Sequence, residues 1–270
     1  MVQDFILDDF CWSYSRVESF ERCPLCFYYQ YIKQYKSIPG FFGQYGSFVH
    51  KVLEKYALGE LAEWELSSYY KKHYPDEVTV DAPPNAWVDL GERYYHQGLD
   101  YFNNFEGYDR EILAVEHDHN FKVGKYNFRG IIDLECPEEI VDIKTKREQH
   151  LTRLTKKHNP DDYITMLDGR YIHKENFRQL YIYAIPFREE YGEYPKLLSL
   201  SMARANDWYT VKFDKKLFNE AHDWAVDEID RIYNAKEFPK GRDVSEFWCE
   251  FICGQRLNCK YSNAYIGDIP

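Results

Sequence analysis

Apolar residues recur at helical spacing over much of the first hundred positions of the chain. Val17, Phe20 and Phe27 lie three to seven residues apart, which predicts a helical region over residues 13–35 with a break at Pro24. The same periodicity predicts three further helices, over residues 46–58, 60–73 and 86–104. The segment between the last two contains three prolines and is expected to be a loop.

The pattern changes near residue 110, where short apolar runs with strand character replace the helical spacing. Strands are predicted over Ile112–Glu116, Tyr126–Leu134 and Ile140–Lys144. A polar segment at residues 145–172 is expected to be irregular. The remaining elements are predicted in the order helix, strand, strand, helix, over residues 174–190, 196–203, 208–213 and 215–236. This order predicts an α/β (α+β) core that carries a helical N-terminal elaboration.

We expect a single domain over residues 1–270. Its parts would be a helical N-terminal part at residues 1–109, an α/β core at 110–213, and a C-terminal helix with a cysteine-rich segment at 214–270. The hydrophobic fraction of 44% excludes a disordered chain. No apolar run approaches the roughly 18–20 residues of a membrane span, and the N-terminus lacks the basic region of a signal peptide. A cytoplasmic protein of a bacterium or phage, without a membrane partner, is the expectation.

Two carboxylates face each other in the predicted hairpin that joins the second and third strands. With Pro137 and Glu138 at the turn, Asp133 and Asp142 become cross-strand partners with Cβ atoms about 4.5–5.5 Å apart. Like charges in that arrangement repel, and a divalent cation between them would remove the penalty. Lys144 shares the face of Asp142, because alternate residues of a strand point the same way. The pattern fits either a metal site or a solvated hairpin face that holds an Asp142–Lys144 ion pair.

The charge of the chain is ambiguous about its partners. Lys and Arg number 34 and Asp and Glu 45, a formal net charge of −11 that disfavours a polyanion such as DNA on average. Residues 145–158, however, carry five basic residues against one acidic residue, and the basic ones are Lys146, Arg147, Arg153, Lys156 and Lys157. This segment would bind phosphates or would be an ordinary solvated loop. The aromatic fraction of 18% fits either core packing or platforms for stacked bases.

Several short motifs resemble those of the RecB-like branch of the PD-(D/E)XK nuclease superfamily, in the family's order along the chain. They are SFERCP at residues 19–24, GSFVHKVLE at 46–54, GIID at 130–133, VDIKT at 141–145 and QLYIY at 179–183. Together with the late cysteines they span residues 19–259. The resemblance implies a mixed central sheet flanked by helices and the metal-dependent hydrolysis of phosphodiester bonds in DNA.

The resemblance also assigns roles to individual residues. Asp133, Asp142 and the carbonyl of Ile143 would bind Mg²⁺ or Mn²⁺, and His50 would be an additional ligand whose imidazole favours Mn²⁺. Lys144 would orient or deprotonate the attacking water and offset developing negative charge. On this resemblance we expect a divalent-metal-dependent deoxyribonuclease. The alternative for His50 by itself is a packed helix histidine.

Three more residues are candidates by the same resemblance. Glu116, on the strand before the hairpin, resembles an acidic residue that completes the metal site in some members. Gln179 and Tyr183 are four residues apart on a predicted helix and therefore share a face. They would lie along the DNA backbone or against Lys144, and the alternative is a surface Gln beside a core Tyr.

The seven cysteines are an odd number in a chain without a secretion signal, which disfavours a disulfide framework. The resemblance to the AddB-like and CRISPR-associated iron–sulfur nucleases implies a [4Fe–4S] cluster held by Cys23, Cys249, Cys253 and Cys259. This chain has one more residue between Cys249 and Cys253 than those families. A structural Zn²⁺ site, with Cys26 as a further ligand, is the alternative, and buried apolar cysteines are a third reading.

The most favoured function is an exonuclease that acts on DNA ends or single-stranded DNA in recombination, repair or phage DNA metabolism. The chain has no P-loop motif, so it would act alone, as a homo-oligomer, or beside a separate helicase or recombination protein. A non-catalytic DNA-binding scaffold and a CRISPR-adaptation nuclease remain alternatives. Retention of Asp133, Asp142 and Lys144 together argues against the scaffold.

Overall fold

The structure is a computed structural model in which residues 7, 10–146 and 150–267 are described. Its helices are α1 (Tyr14–Arg22), α2 (Pro24–Phe27), α3 (Phe41–Ala57), α4 (Leu66–Glu77), α5 (Leu90–Asn103), α6 (Arg178–Tyr191) and α7 (Lys215–Asn234). Its strands are β1 (Ala114–Val123), β2 (Tyr126–Cys136), β3 (Glu139–Lys144), β4 (His150–Leu151), β5 (Tyr163–Thr165), β6 (Tyr171–His173), β7 (Leu197–Met202) and β8 (Asp207–Lys212). Short 3₁₀ or π-helical turns lie at Tyr28–Ile32, Glu63–Glu65, Pro160–Asp162, Lys174–Phe177 and Trp248–Ile252.

The central sheet contains five strands in the order β1-β2-β3-β7-β8. β3 and β7 run parallel, whereas the other neighbouring pairs are antiparallel. A parallel pair needs a crossover connection, and the chain between β3 and β7 supplies it with a small second sheet and α6. A mixed sheet with flanking helices confirms the predicted fold class.

Two apolar clusters hold the helices on the sheet. The larger joins α1, α6 and α7 to the strands through buried residues such as Val17, Phe128, Leu180 and Ile229. The second packs α3, α4 and α5 together and reaches the sheet at Ile143. Much of the high aromatic content fills these clusters, where rings stack or meet edge to face and add to the burial of apolar surface.

The helical part follows the predicted order but not all the predicted ends. The first helix ends at Arg22, with Cys23 as its cap, and a second begins at Pro24, because proline has no N–H to donate but is well suited to a first helical position. α3 begins at Phe41, five residues before the predicted start. α4 continues through Pro75 to Glu77, a segment that was expected to be a loop.

Two predictions in the strand region are wrong. β1 covers Ala114–Val123 rather than residues 112–116, and it forms a long hairpin with β2 through a turn at Gly124, whose φ is +58°. The strand after Glu116 was missed because residues 117–120 are all polar. The buried apolar residues of that stretch, Phe121 and Val123, come only after them. The segment 145–172, expected to be irregular, contributes β4, β5 and β6 to a second sheet in the order β4-β6-β5.

Candidate active site and cysteine cluster

The hairpin of β2 and β3 has the predicted register and the predicted two-residue turn. Its ladder runs from Cys136 opposite Glu139 to Leu134 opposite Val141 and ends there, one pair before Asp133 and Asp142. Asp133 instead accepts a hydrogen bond from the backbone N–H of Ile143, at 2.5 Å to its Oδ2 atom. The expectation that Asp133 and Asp142 pair directly in the ladder is therefore wrong, although the register is as predicted. The pairing of β2 with β3 ends one position earlier, and there the carboxylate of Asp133 accepts from the backbone of β3.

Three predicted metal ligands converge beside this point. The Nδ1 atom of His50 lies 3.7 Å from Oδ2 of Asp133 and 3.9 Å from Oε1 of Glu116. One ligand atom from each of the three residues lies within 4.8 Å of the others. Carboxylate oxygens with one imidazole are a donor set for Mg²⁺ or Mn²⁺. The residues present therefore fit a hard divalent cation.

Glu116 has a backbone that argues for a special role. Its φ is +46°, in the left-handed region that non-glycine residues rarely adopt. Such a residue costs about 1–3 kcal/mol and persists where the surrounding structure enforces it, which is common at active sites. Here the β1–β2 ladder continues on both sides of Glu116 and directs its carboxylate toward His50.

The charges of the site change the protonation of its members. Burial, and then the negative charge of Asp142, raise the pKa of Asp133 to about 7. Burial alone would lower the pKa of His50, but Glu116, Asp133 and Asp142 outweigh it and raise that pKa. The positive charge of a bound divalent cation would offset the repulsion between the carboxylates and would favour their ionised forms.

Lys144 belongs to a chain of hydrogen bonds that reaches α6. Its Nζ atom lies 2.6 Å from Oδ2 of Asp142 and donates to Oε1 of Gln179 at 3.0 Å. The Nε2 group of Gln179 in turn donates to the hydroxyl of Tyr183 at 3.2 Å. Burial would lower the pKa of Lys144, but Asp142 and Asp133 raise it overall. The structure thus brings together the predicted lysine, glutamine and tyrosine, with the lysine held as an ammonium ion.

Two glycines of the motifs have a steric explanation. A Cβ atom on Gly130 would lie 2.5 Å from Cε1 of Tyr183, so the glycine lets that ring lie against β2. A Cβ atom on Gly46 would lie 3.0 Å from Oγ1 of Thr145, so the second glycine lets α3 approach the end of β3. This close approach brings His50, one helical turn after Gly46, to the carboxylates.

A cleft of about 600 Å³, here called the active cleft, opens over Asp133, Asp142 and Lys144. Charged residues of α1 also line it, and sequence reasoning missed them: Glu18, Glu21 and Arg22. Their signal was the spacing of Ser15, Glu18 and Arg22, which defines a polar face of α1 opposite the buried Val17 and Phe20. Arg178 of α6 lines the cleft as well and forms an ion pair with Glu21.

The predicted DNA-binding residues lie in different places. Lys146 lines the active cleft. Arg153, Lys156 and Lys157 are exposed in the segment after β4, and they do not line the active cleft. Arg147 lies outside the described residues. Phosphate binding by this segment therefore remains a prediction.

Five cysteines gather where α1 ends: Cys23, Cys26, Cys249, Cys253 and Cys259, here called the cysteine cluster. The Sγ atoms of Cys26 and Cys253 lie 3.4 Å apart. Cys259 is close enough to Cys23, Cys249 and Cys253 to interact with them electrostatically. Cys11 and Cys136 lie elsewhere and fit the reading of ordinary partly or fully buried thiols.

Backbone amides point at the sulfur atoms of this cluster. The N–H of Gly241 donates to Sγ of Cys23 at 3.3 Å, and a Cβ atom on that glycine would lie 2.0 Å from the carbonyl oxygen of Arg22. A hydrogen bond with Cys26 and the backbone N–H of Gln255 lower the pKa of Cys253, whereas burial raises the pKa of Cys259 although the N–H of Tyr261 opposes it. Such N–H···S contacts favour thiolates, the form that binds metal.

The sulfur atoms of the cysteine cluster form a donor set for either an iron–sulfur centre or a zinc ion. Zn–S bonds of about 2.3 Å in a tetrahedron place thiolates about 3.8 Å apart. Among the described residues, which include all seven cysteines, no three thiols lie within 4.8 Å of one another. The 3.4 Å between the sulfur atoms of Cys26 and Cys253 is close to the zinc value, so the residues present fit either group.

Comparison with known families agrees with the geometry of the active cleft. The sequence model of the PD-(D/E)XK nuclease superfamily matches residues 11–263. The chain belongs to the PD-(D/E)XK nuclease superfamily. Membership confirms the predicted resemblance at the level of the superfamily and supports a nuclease function. The iron–sulfur branch remains a prediction.

Other comparisons add little to this assignment. A solved structure of a candidate exonuclease from Eubacterium rectale is similar to this chain at 12% identity, with a TM-score of 0.49 over 90% of this chain and 88% of that one. Curated proteins give no significant match. Among the described residues, no helix combines the length and apolar character that a membrane span requires.

Proposed function

We propose that this member of the superfamily is a divalent-metal-dependent deoxyribonuclease that acts on DNA ends or single-stranded DNA. The observation that carries the proposal is the convergence of His50, Glu116 and Asp133 next to the Asp142–Lys144 ion pair, and all of these except Glu116 line one cleft. A solvated hairpin face, the alternative from sequence, does not fit, because Asp142 is buried.

The side chains divide the work of phosphodiester hydrolysis between them. His50, Glu116, Asp133 and Asp142 would hold the divalent cation, with the Ile143 carbonyl as a further ligand. When bound, the cation supplies Lewis-acid activation of the phosphate and of water. Lys144, as an ammonium ion, donates hydrogen bonds and offsets the charge that develops on the phosphate. The raised pKa of Lys144 favours this role over that of a general base.

Gln179 and Tyr183 act on Lys144 rather than on the substrate. Because Oε1 of Gln179 accepts from Lys144 and Nε2 donates to Tyr183, the amide has one orientation that satisfies both partners. Tyr183 is buried against Gly130 and holds one end of this series of hydrogen bonds in place. These two residues therefore position the lysine.

The size of the active cleft supports a single strand or a strand end as the substrate. A volume of about 600 Å³ lies in the range of small-molecule sites, which is compatible with a strand end. Lys146 and Arg178 on its walls would contact phosphates that flank the scissile bond. A net charge of −11 is compatible with this, since the acidic residues of the site would be neutralised by cations.

The proposal is tested by digestion of DNA labelled at the 5′ or 3′ end, as single and double strands. We expect loss of label from single strands or frayed ends with Mn²⁺ or Mg²⁺, and none with EDTA, because the carboxylates need the cation for catalysis. Short products that accumulate from one labelled end would identify an exonuclease and its polarity. DNA that is bound but not cleaved with any divalent cation would instead favour a binding scaffold.

We also propose that the cysteine cluster holds a [4Fe–4S] centre that fastens the C-terminal segment to α1, with Cys23, Cys249, Cys253 and Cys259 as ligands. Fixing Cys23 to Cys253 closes a long stretch of chain and restricts the unfolded state. α1 lines the active cleft and ends directly before Cys23, so the centre would also hold one wall of the cleft.

Anaerobic purification tests this second proposal. We expect a brown protein with about four iron and four sulfide per chain, because each of the four proposed cysteine thiolates would bind one iron of the centre. Cys253→Ser should lose the colour, and Cys11→Ser, outside the cluster, should keep it. The pair Cys23→Ser and Cys26→Ser would identify the early ligand. A colourless protein with stoichiometric zinc would contradict the proposal.

A further inference from the structure

A second group of metal-binding side chains lies on β1 and β2, next to the active cleft but outside it. His117 and His119 are two residues apart on β1, so their side chains leave the same face of the strand. Their ring centroids are 4.0 Å apart. Nδ1 of His117 lies 3.1 Å from Oε2 of Glu135, and Nε2 of His119 lies 2.5 Å from Oε1.

Glu135 is an unusual place for a negative charge. Its side chain has 0% exposure, and among the described residues no lysine or arginine forms an ion pair with it. Apart from the two imidazoles, its side chain accepts a hydrogen bond from the hydroxyl of Tyr191 at 2.6 Å. A buried carboxylate is costly unless a cation and hydrogen bonds compensate it. A metal ion held with the two imidazoles would supply that cation.

The geometry of the donors fits a transition-metal ion. Zn–N and Zn–O bonds of about 2.0–2.2 Å in a tetrahedron place ligand atoms about 3.3 Å apart. One ligand atom from each of His117, His119 and Glu135 lies within 4.8 Å of the others, so small side-chain rotations suffice. His117 is 37% exposed, which gives an ion a path from solvent and leaves a fourth position for water. Tyr191 would then orient the carboxylate from outside the coordination sphere.

We propose that His117, His119 and Glu135 form a binding site for a Zn²⁺-type transition metal, distinct from the active cleft. Two imidazoles and one carboxylate favour such ions over Mg²⁺, whereas the carboxylate-rich cleft favours Mg²⁺ or Mn²⁺. His117 directly follows Glu116, and Glu135 lies two residues after Asp133. An ion at this site would therefore fasten β1 to β2 beside two of the residues proposed to hold the catalytic cation. The proposal does not depend on nuclease activity.

The test is the binding stoichiometry of Zn²⁺ to the full chain after removal of adventitious metal, with excess Mg²⁺ present to occupy the cleft. We expect His117→Gln and His119→Gln each to bind one Zn²⁺ fewer per chain than wild type. Tyr191→Phe should keep the site with an affinity about 10-fold lower, since it removes an outer hydrogen bond. His96→Gln is the matched control, because His96 is an exposed histidine with a glutamate partner on α5.

Cobalt separates this site from the cysteine cluster. Co²⁺ bound by imidazole and carboxylate gives visible d–d absorption without the near-ultraviolet charge-transfer band of a thiolate complex. We expect His117→Gln to remove the former and leave any thiolate band unchanged. His117 is half-exposed, so this variant should fold, and circular dichroism verifies it. Equal stoichiometry in wild type and both histidine variants, or an equal loss in His96→Gln, would overturn the proposal and leave a hydrogen-bonded His–Glu–His network.

Discussion

Asp142→Asn should reduce metal-dependent DNA cleavage by about 10³-fold or more while the protein remains folded. Asp142 is buried, it lies within electrostatic reach of Asp133 and His50, and it holds Lys144 by an ion pair. Asparagine keeps the shape but removes the charge that binds a cation, and several kcal/mol of transition-state stabilisation depend on that cation. Each 1.4 kcal/mol is tenfold in rate. The measurement is the initial rate of release of label from single-stranded DNA in Mn²⁺.

Asp227→Asn is the matched control, since it removes an equal charge at an exposed position of α7. It should cleave at the wild-type rate. The variant should hold the cation more weakly, and it also lacks the ion-pair partner of Lys144. Because of the second defect, the loss in Asp142→Asn should persist at saturating Mn²⁺. If Asp142→Asn and wild type cleave equally, the active cleft is not the site of hydrolysis.

The elements of the site that were predictable from sequence depend on local spacing. The two-residue turn at Pro137 and Glu138 fixes the register of the hairpin, and the alternation of side chains along a strand brings Asp142 and Lys144 to one face. Gln179 and Tyr183 are four apart on α6, so their contact follows from helical geometry. The break before Pro24 follows from the chemistry of proline. In each case the information lies within about ten residues of chain.

The elements that were missed depend on contacts between distant segments. The left-handed φ of Glu116 lies where the β1–β2 pairing is interrupted, and no side-chain pattern marks it. His117 and Glu135 meet only because that ladder has one particular register, and β1 was predicted too short to include the histidine. The charged face of α1 enters the cleft because α1 packs on α6 and α7. Only the assembled sheet supplies this information.

Asp133→Asn should stabilise the metal-free protein at pH 8 although it belongs to the same site. Burial and the charge of Asp142 raise the pKa of Asp133 from 3.8 to about 7. Between these two values the folded state holds a proton that the unfolded state has released, so the stability of the metal-free wild type falls as pH rises from about 4 to 7. Above pH 7 the repulsion is fully present. Asparagine has no such charge, and its carbonyl oxygen can still accept the N–H of Ile143.

We expect the variant to exceed wild type by about 2 kcal/mol in EDTA at pH 8, or roughly 4–8 °C in Tm for a chain of this size. The difference should vanish near pH 4, where the wild-type carboxyl is protonated in the folded state. Mn²⁺ at pH 8 should reverse the order, because only wild type gains the free energy of binding to a complete ligand set. Asp227→Asn should follow wild type under all three conditions.

An Asp133→Asn variant that is less stable than wild type in EDTA at pH 8 would show that the Ile143 N–H needs a full carboxylate charge, and that repulsion from Asp142 is minor. The two outcomes lead to different views of the cleft. Repulsion in the absence of metal means that the fold holds two carboxylates together at a cost in stability, and that the cation removes this cost when it binds. The same residues would then limit the stability of the metal-free chain and supply its affinity for the metal.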